Sequence, residues 1–274
     1  MSQKQCPGLH PLANGAYAWL APQSSWGWSN AGLIVDGEAS LLVDTLYDLE
    51  LTSEMLQKMR DAEPRAKAID TLVNTHANGD HCHGNELVTG AEIIASTASA
   101  AEMNELPPEA MAALMEAAKG MGGVGDYFLH CFGQFRFDGI RHTPPTRTFD
   151  GTMNLWVGDK PVHLIEVGPA HTRGDVLVHS PTDRVVFTGD ILFIEGTPVM
   201  WQGPVQNWIK ACLLIEDMDV DLIVPGHGPI TDKHGVARVR QYLQYVRDQA
   251  RSRYDAGLSA FEAARDIELA EYSA

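Results

Sequence analysis

The sequence predicts an α/β fold carried by a single domain over residues 1–274, with one helical insert. Three observations point there. Short apolar runs bounded by turn residues recur in both halves of the chain, and segments with helical spacing lie between them. One stretch, 97–136, changes composition altogether and reads as an insertion into that alternation.

From the N-terminus, Tyr17 to Leu20, Gly32 to Val35 and Leu41 to Val43 read as strands, the last two joined by the turn-forming Asp36-Gly37. Asp48 to Ala62 carries Thr52, Met55, Leu56 and Met59 at helical spacing and stops before Pro64. Ile69 to Val73 is a strand running straight into the polar segment Asn74 to Asn85, and Glu92 to Ala95 is the next strand. Residues 97–136 are rich in Ala, Met and Glu and broken by Pro107-Pro108. They read as two or three helices, hinged at the glycine-rich segment Gly120 to Gly125. Strand signals return at Val162 to Val167, Val176 to Ser180 and Val185 to Thr188, with a turn at Pro181-Thr-Asp183. Val205 to Met218 reads as helix and Val220 to Val224 as strand. Val236, Val239, Leu243 and Val246 mark one face of a long helix, and a short helix from Ser259 closes the chain.

Composition narrows the function classes. The hydrophobic fraction, 45%, supports a sizeable core. The longest apolar runs, such as Leu41 to Val43 and Leu222 to Val224, are far too short to span a bilayer, and the first fifteen residues lack the apolar stretch of a signal peptide. A soluble, cytoplasmic protein with no membrane partner is expected. Cys6, Cys82, Cys131 and Cys212 show no CxxC spacing and read as free thiols. Lys and Arg number 20 against 36 Asp and Glu, leaving a formal charge of −16. Such a field repels phosphate backbones, so nucleic acid is excluded as a partner and a small molecule is the expected substrate.

Chemistry concentrates where apolar strands end. Thr75-His-Ala-Asn-Gly-Asp-His81, Gly168-Pro-Ala-His171, Thr188-Gly-Asp190 and Pro225-Gly-His227-Gly each place His or Asp just past the end of an apolar strand, with Val43-Asp44-Thr45 as a weaker fifth. Loops there converge while the sheet holds them rigid. Imidazole and carboxylate are ligands for divalent metals, and neighbouring glycines let the backbone approach a crowded centre. Each piece alone is weak, since a lone histidine is more often a core or surface residue than a ligand; together they point to metal binding. His10, His130, His142, His163, His179 and His234 lack this context.

The order His76, Asp80-His81, His171, Asp190, Gly-His227-Gly resembles that of the metallo-β-lactamase superfamily, and the similarity runs from Asn30-Ala-Gly-Leu-Ile-Val35 to Val224-Pro-Gly-His-Gly228. The resemblance implies a four-layer αββα sandwich with a mono- or dinuclear site along one edge. It implies that His76 and His171 hold a first metal, Asp80, His81 and His227 a second, and that Asp190 bridges them, with Asp44 behind the ligands. Zn2+, one or two per chain, is the implied cofactor, with Fe or Mn as alternatives. The segment Thr75 to Cys82 also resembles that of actinobacterial hydrolases related to the thioesterase/cyclases of aromatic polyketide assembly.

The chain departs from the family at one position. Asn78 stands where the motif has its middle histidine, and a neutral amide is a poorer zinc donor than imidazole. Three arrangements stay open: a dinuclear site with Asn78 as a weak ligand, a single metal at Asp80, His81 and His227, or recruitment of His83 or Cys82. A bound metal lowers the pKa of its water to about 7, supplying hydroxide at neutral pH. The expected reaction is therefore hydrolysis of an ester, thioester, lactone or amide, with Asp80 orienting the nucleophile. The alternatives are a metal-dependent polyketide cyclase, a mononuclear-iron thiol dioxygenase, or a metal-binding protein without catalysis; the retained Asp80, Asp190 and His227 weigh against the last. Trp26, Trp28 and Trp201 sit in loops that such proteins use to grip apolar or aromatic ligands, the alternative being that they pack at a sheet edge. The 97–136 insert is a candidate lid or homodimer contact.

Overall fold

Alternate residues along the central strands belong to different apolar layers: Leu41 and Val43 enter one cluster and Leu42 another. The computed structural model describes residues 5–22, 25–269 and 271–272. A seven-stranded sheet has the order β1 (Gly8–Ala13), β2 (Ala16–Leu20), β3 (Ala31–Asp36), β4 (Ala39–Val43), β5 (Thr71–Val73), β6 (Glu92–Ser96) and β7 (Arg147–Phe149). It is antiparallel up to β4 and parallel from β4 to β7. A five-stranded sheet contains β8 (Thr152–Val157), β9 (Lys160–Glu166), β10 (Val176–Ser180), β11 (Val185–Phe187) and β12 (Leu222–Val224), in spatial order from β8 to β12. Here β11 and β12 are parallel and the other pairs antiparallel.

Between the sheets lie Ile34, Leu41, Val43 and Val73 from the first and Val162, Leu164, Val178 and Val185 from the second. Helix α1 (Leu49–Ala62) covers the outer face of the first sheet with Met55, Leu56 and Met59. Its start is set by Asp48, whose Oδ1 accepts the Leu51 N–H at 2.9 Å. Helices α6 (Val205–Asp217) and α7 (Lys233–Asp255) cover the second sheet through Trp208, Ile209, Val236 and Leu243. The result is the αββα sandwich that the family resemblance implies. A capping box, Ser259 with Glu262, starts the last helix, α8 (Ala260–Asp266). No helix among the described residues is long and apolar enough to cross a membrane.

The insert holds three helices, α3 (Thr97–Glu102), α4 (Pro108–Ala118) and α5 (Gly122–Phe132). Of the glycine-rich segment expected as a hinge, Gly120 and Met121 lie between α4 and α5, while Gly122 to Gly125 form the first turn of α5. Gly125 is there for a close approach, because a Cβ at that position would collide with the Ala118 carbonyl. Strands β1, β7 and β8 were not expected from the sequence.

The parallel pairs bring the C-terminal ends of β4, β5, β11 and β12 together on one edge, where α/β folds place their chemistry. Asn30 ties the two sheets there. Its backbone N–H donates to the Gly226 carbonyl at 2.8 Å, and its Nδ2 donates to Pro225 and Gly228 at 2.9 and 2.8 Å.

Candidate metal centre

Two groups of three ligand-capable side chains meet on this edge, all six buried: His76, His171 and Asp190, and Asp80, His81 and His227. Asp80 and His81 lie on a single helical turn, α2 (Gly79–Cys82), which follows β5. Asp190 follows β11, His227 follows β12, and His171 sits between β9 and β10. Asp190 stands between the groups, with Oδ2 3.3 Å from His171 Nε2 and 3.2 Å from His227 Nε2, and Oδ1 3.1 Å from His81 Nε2.

The outer nitrogen of each imidazole decides what the inner one can do. His81 Nδ1 contacts Asp44 at 2.9 Å, His171 Nδ1 the Val199 carbonyl at 2.6 Å, and His227 Nδ1 the Trp28 carbonyl at 2.9 Å. Each of these oxygens only accepts, so each Nδ1 carries the proton. His76 Nδ1 lies 3.0 Å from Thr75 Oγ1, whose own hydroxyl donates to Asp44 at 2.7 Å, so it too donates outward. All four Nε2 atoms therefore face inward, where each can act as a ligand once it carries no proton, the arrangement that oriented metal-binding histidines share. His76 Nε2, His81 Nε2 and Asp190 Oδ1 have no hydrogen-bond partner although buried. Unpaired buried groups of this kind cost about 1–3 kcal/mol each, so the donor set fits a divalent cation.

The electrostatics show a site that draws positive charge, whether a proton or a cation. Burial disfavours the His81 imidazolium, yet Asp190, Asp80 and Asp44 outweigh it and hold its pKa well above the usual histidine value. His227 is raised in the same way, burial opposing and Asp190 and Asp80 prevailing. Burial, reinforced by His81, holds His76 well below. Asp190 stays well below the carboxylate range against its own burial, because His227, His81, His76 and His171 surround it. Asp44 adopts φ +62°, a left-handed conformation that aspartate tolerates better than most residues, and burial raises its pKa despite bonds from His81 and Thr75.

The sequence profile of the metallo-beta-lactamase superfamily matches residues 25–227, most of the chain and every one of these positions. The chain belongs to the metallo-beta-lactamase superfamily. It is 24% identical over 203 residues to the 2,4-dinitroanisole O-demethylase subunit alpha of a Nocardioides strain, covering 71% of this chain and 51% of that one. It is 26% identical over 157 residues to the hydroxyacylglutathione hydrolase of Maricaulis maris, covering 55% and 44%. The chain thus spans about half the length of these curated relatives. Among solved structures, a metallo-beta-lactamase from Pseudomonas aeruginosa in a mono-zinc form superposes with a TM-score of 0.60 at 21% identity, over 88% of this chain and 97% of that one.

Within this superfamily frame, Asn78 stands beside the first group, its Oδ1 2.7 Å from His171 Nε2. That nitrogen cannot donate to it while Nδ1 holds the proton for Val199; turning the amide end for end would place its NH2 against the lone pair. Recruitment of Cys82 is not supported, because its Sγ turns to the carbonyls of Ala77 and Asn78 at 3.6 and 3.4 Å. His83 stays outside both groups and packs near Tyr47 and Phe137, its pKa lowered to about 4 chiefly by burial. Trp26 and Trp201 line the cavity over the ligands, their rings 6.3 Å apart. Trp28 does not: its ring packs 5.2 Å from Phe135, and its contribution to the site is the carbonyl that holds His227. Ser24, at the start of the loop bearing Trp26 and Trp28, lies outside the described residues. Phe193, which stacks on His227 at 4.9 Å, carried no signal in the sequence, and Asn30 stood out there only as the first residue of the matching segment.

Gly226 offers a direct test of crowding. A Cβ there would overlap Asp190 Oδ1 and the Gly189 backbone. Gly226→Ala should lower zinc affinity at least tenfold and cost about 1–3 kcal/mol of stability. Unchanged affinity in a titration of the folded variant would show that Asp190 need not hold its position.

Proposed function

We propose that the protein is a metal-dependent hydrolase that cleaves an ester, thioester, lactone or amide of a small apolar or aromatic molecule. The observation that carries this reading is the inward orientation of four Nε2 atoms around Asp190, at the floor of a cavity. His76 and His171 with Asp190 would hold one zinc ion, and Asp80, His81 and His227 the other. A divalent metal in such a site supplies Lewis acidity and makes hydroxide available at neutral pH.

The chain's own residues supply the rest. Asp44 fixes His81 directly and His76 through Thr75, so both rings keep their aim. Asp80 lines the cavity, and its backbone carbonyl is tied to Ser29 Oγ; its carboxylate is the group placed to orient a water and take its proton. Trp26, Trp201 and the insert shield the site from bulk water on one side. Support also comes from the relatives, whose names include a hydroxyacylglutathione hydrolase and a metallo-beta-lactamase. The test is turnover of a panel of aryl esters, thioesters, lactones and amides by zinc-loaded protein. Hydrolysis of at least one class, lost on chelation and regained with zinc, is expected; no turnover of any class by fully loaded protein would refute it.

A further inference from the structure

Resting on that hydrolase reading, we infer that the substrate group seated against the insert is an uncharged aromatic or apolar ring system, and that an anionic substituent on that group is rejected. The cavity over the candidate ligands has a volume of about 830 Å³. That is within the roughly 300–1,000 Å³ of clefts that enclose drug-sized ligands. Its far wall comes from the insert and the tryptophan loops. Trp26 stands 5.9 Å from Phe132 and 6.3 Å from Trp201, giving one continuous aromatic surface. Leu106, Tyr127 and Trp201 are 50%, 61% and 56% exposed around it. Large apolar side chains grouped at a cavity mouth mark a surface that gains by being covered, unlike apolar residues scattered singly.

Charge sharpens the class. Among the described residues, no lysine or arginine lines this cavity; its ionisable lining consists of imidazoles, Tyr127 and Tyr47 phenols, and the carboxyls of Asp80, Asp190, Glu102 and Glu105. Glu102 and Glu105 lie on the insert side and are joined to Arg173. The guanidinium donates twice to Glu105, at 2.7 and 2.6 Å, and stands 3.8 Å from Glu102, which also accepts the Arg173 backbone N–H at 3.0 Å. That cation is already matched. A carboxylate, sulfate or phosphate carried into this side would meet no free cation and would stand beside two carboxyls that share one guanidinium, a net negative charge. An uncharged ring would meet aromatic faces and edges that suit it.

The test uses the zinc-loaded full chain and two matched pairs. For binding, calorimetry compares 2-naphthyl methyl sulfone with naphthalene-2-sulfonate, an anion of the same shape that coordinates zinc poorly. The sulfone is expected to bind at least tenfold tighter. Leu106→Lys, at a half-exposed position on the wall, should narrow that gap at least tenfold. For turnover, kcat/KM for a 4-methylbenzoyl thioester should exceed that for the 4-carboxybenzoyl thioester of the same thiol on the order of a hundredfold. Equal or tighter binding of the sulfonate, or equal turnover of the two thioesters, overturns the inference. A retained preference for the sulfone with no substrate cleaved would uphold the ligand class and remove the hydrolase reading alone.

Discussion

His227→Ala is expected to lower kcat/KM at least a hundredfold, a loss of about 2.7 kcal/mol, while the fold persists. His227 is pinned on three sides: Nδ1 on the Trp28 carbonyl at 2.9 Å, Nε2 3.2 Å from Asp190 and 3.5 Å from Asp80, and the ring stacked on Phe193 with planes 6° apart. Gly226 and Gly228 frame it because nothing larger fits. A Cβ at Gly228 would collide with the Ile194 carbonyl, and its φ of +93° favours glycine. Without the imidazole, Asp80 and His81 alone would have to hold the second metal. Steady-state kinetics on the variant, with circular dichroism and a thermal melt of both proteins after chelation, checks the expectation. Retention of more than about a tenth of the activity, a loss under about 1.4 kcal/mol, would mean that His227 is not a required ligand.

Asn78→His should raise metal affinity at the first group tenfold or more, about 1.4 kcal/mol per factor of ten. The amide already touches His171 Nε2 at 2.7 Å, so an imidazole at this position is aimed at the same point as His76 and His171. Imidazole is the stronger donor to zinc, and it would leave the group with three nitrogens and Asp190. Activity need not follow affinity, since an amide leaves an open metal face that a third imidazole would cover. Calorimetric zinc titration of both proteins reads the effect directly. Identical affinity and stoichiometry would mean that residue 78 does not face the first metal.

What the sequence revealed and what it hid have physical reasons. The central strands were legible because their residues, such as Leu41, Leu42 and Val43, are buried on both faces. Strand β8 was not, since it is an edge strand whose alternate positions face solvent and whose Trp156 is 69% exposed. Strand β1 is an edge strand carrying Pro11, and β7 is three residues long; neither leaves a strong apolar pattern. The strand expected from Ile69 starts at Thr71 because Asp70 turns its carboxylate to the Ser40 N–H at 2.8 Å. All six ligand-capable residues could be named from the sequence because each needs a titratable side chain in a local motif. Of the groups that aim them, Asp44 was legible in the same way, but Val199 and Trp28 were not, because they act through backbone carbonyls, which any residue possesses. The division of the tryptophans was hidden for the same reason, since the exposure of Trp26 and the packing of Trp28 depend on Phe132 and Phe135, about a hundred residues away along the chain.

Metal content per chain tests the account most directly. Elemental analysis of protein purified without chelator, and again after stripping and reconstitution with zinc, should give between one and two divalent ions per chain, with the group of Asp80, His81 and His227 filled more tightly. Four imidazoles aimed inward around a buried carboxylate have no other evident use. Protein that binds no transition metal even after reconstitution would contradict the assignment.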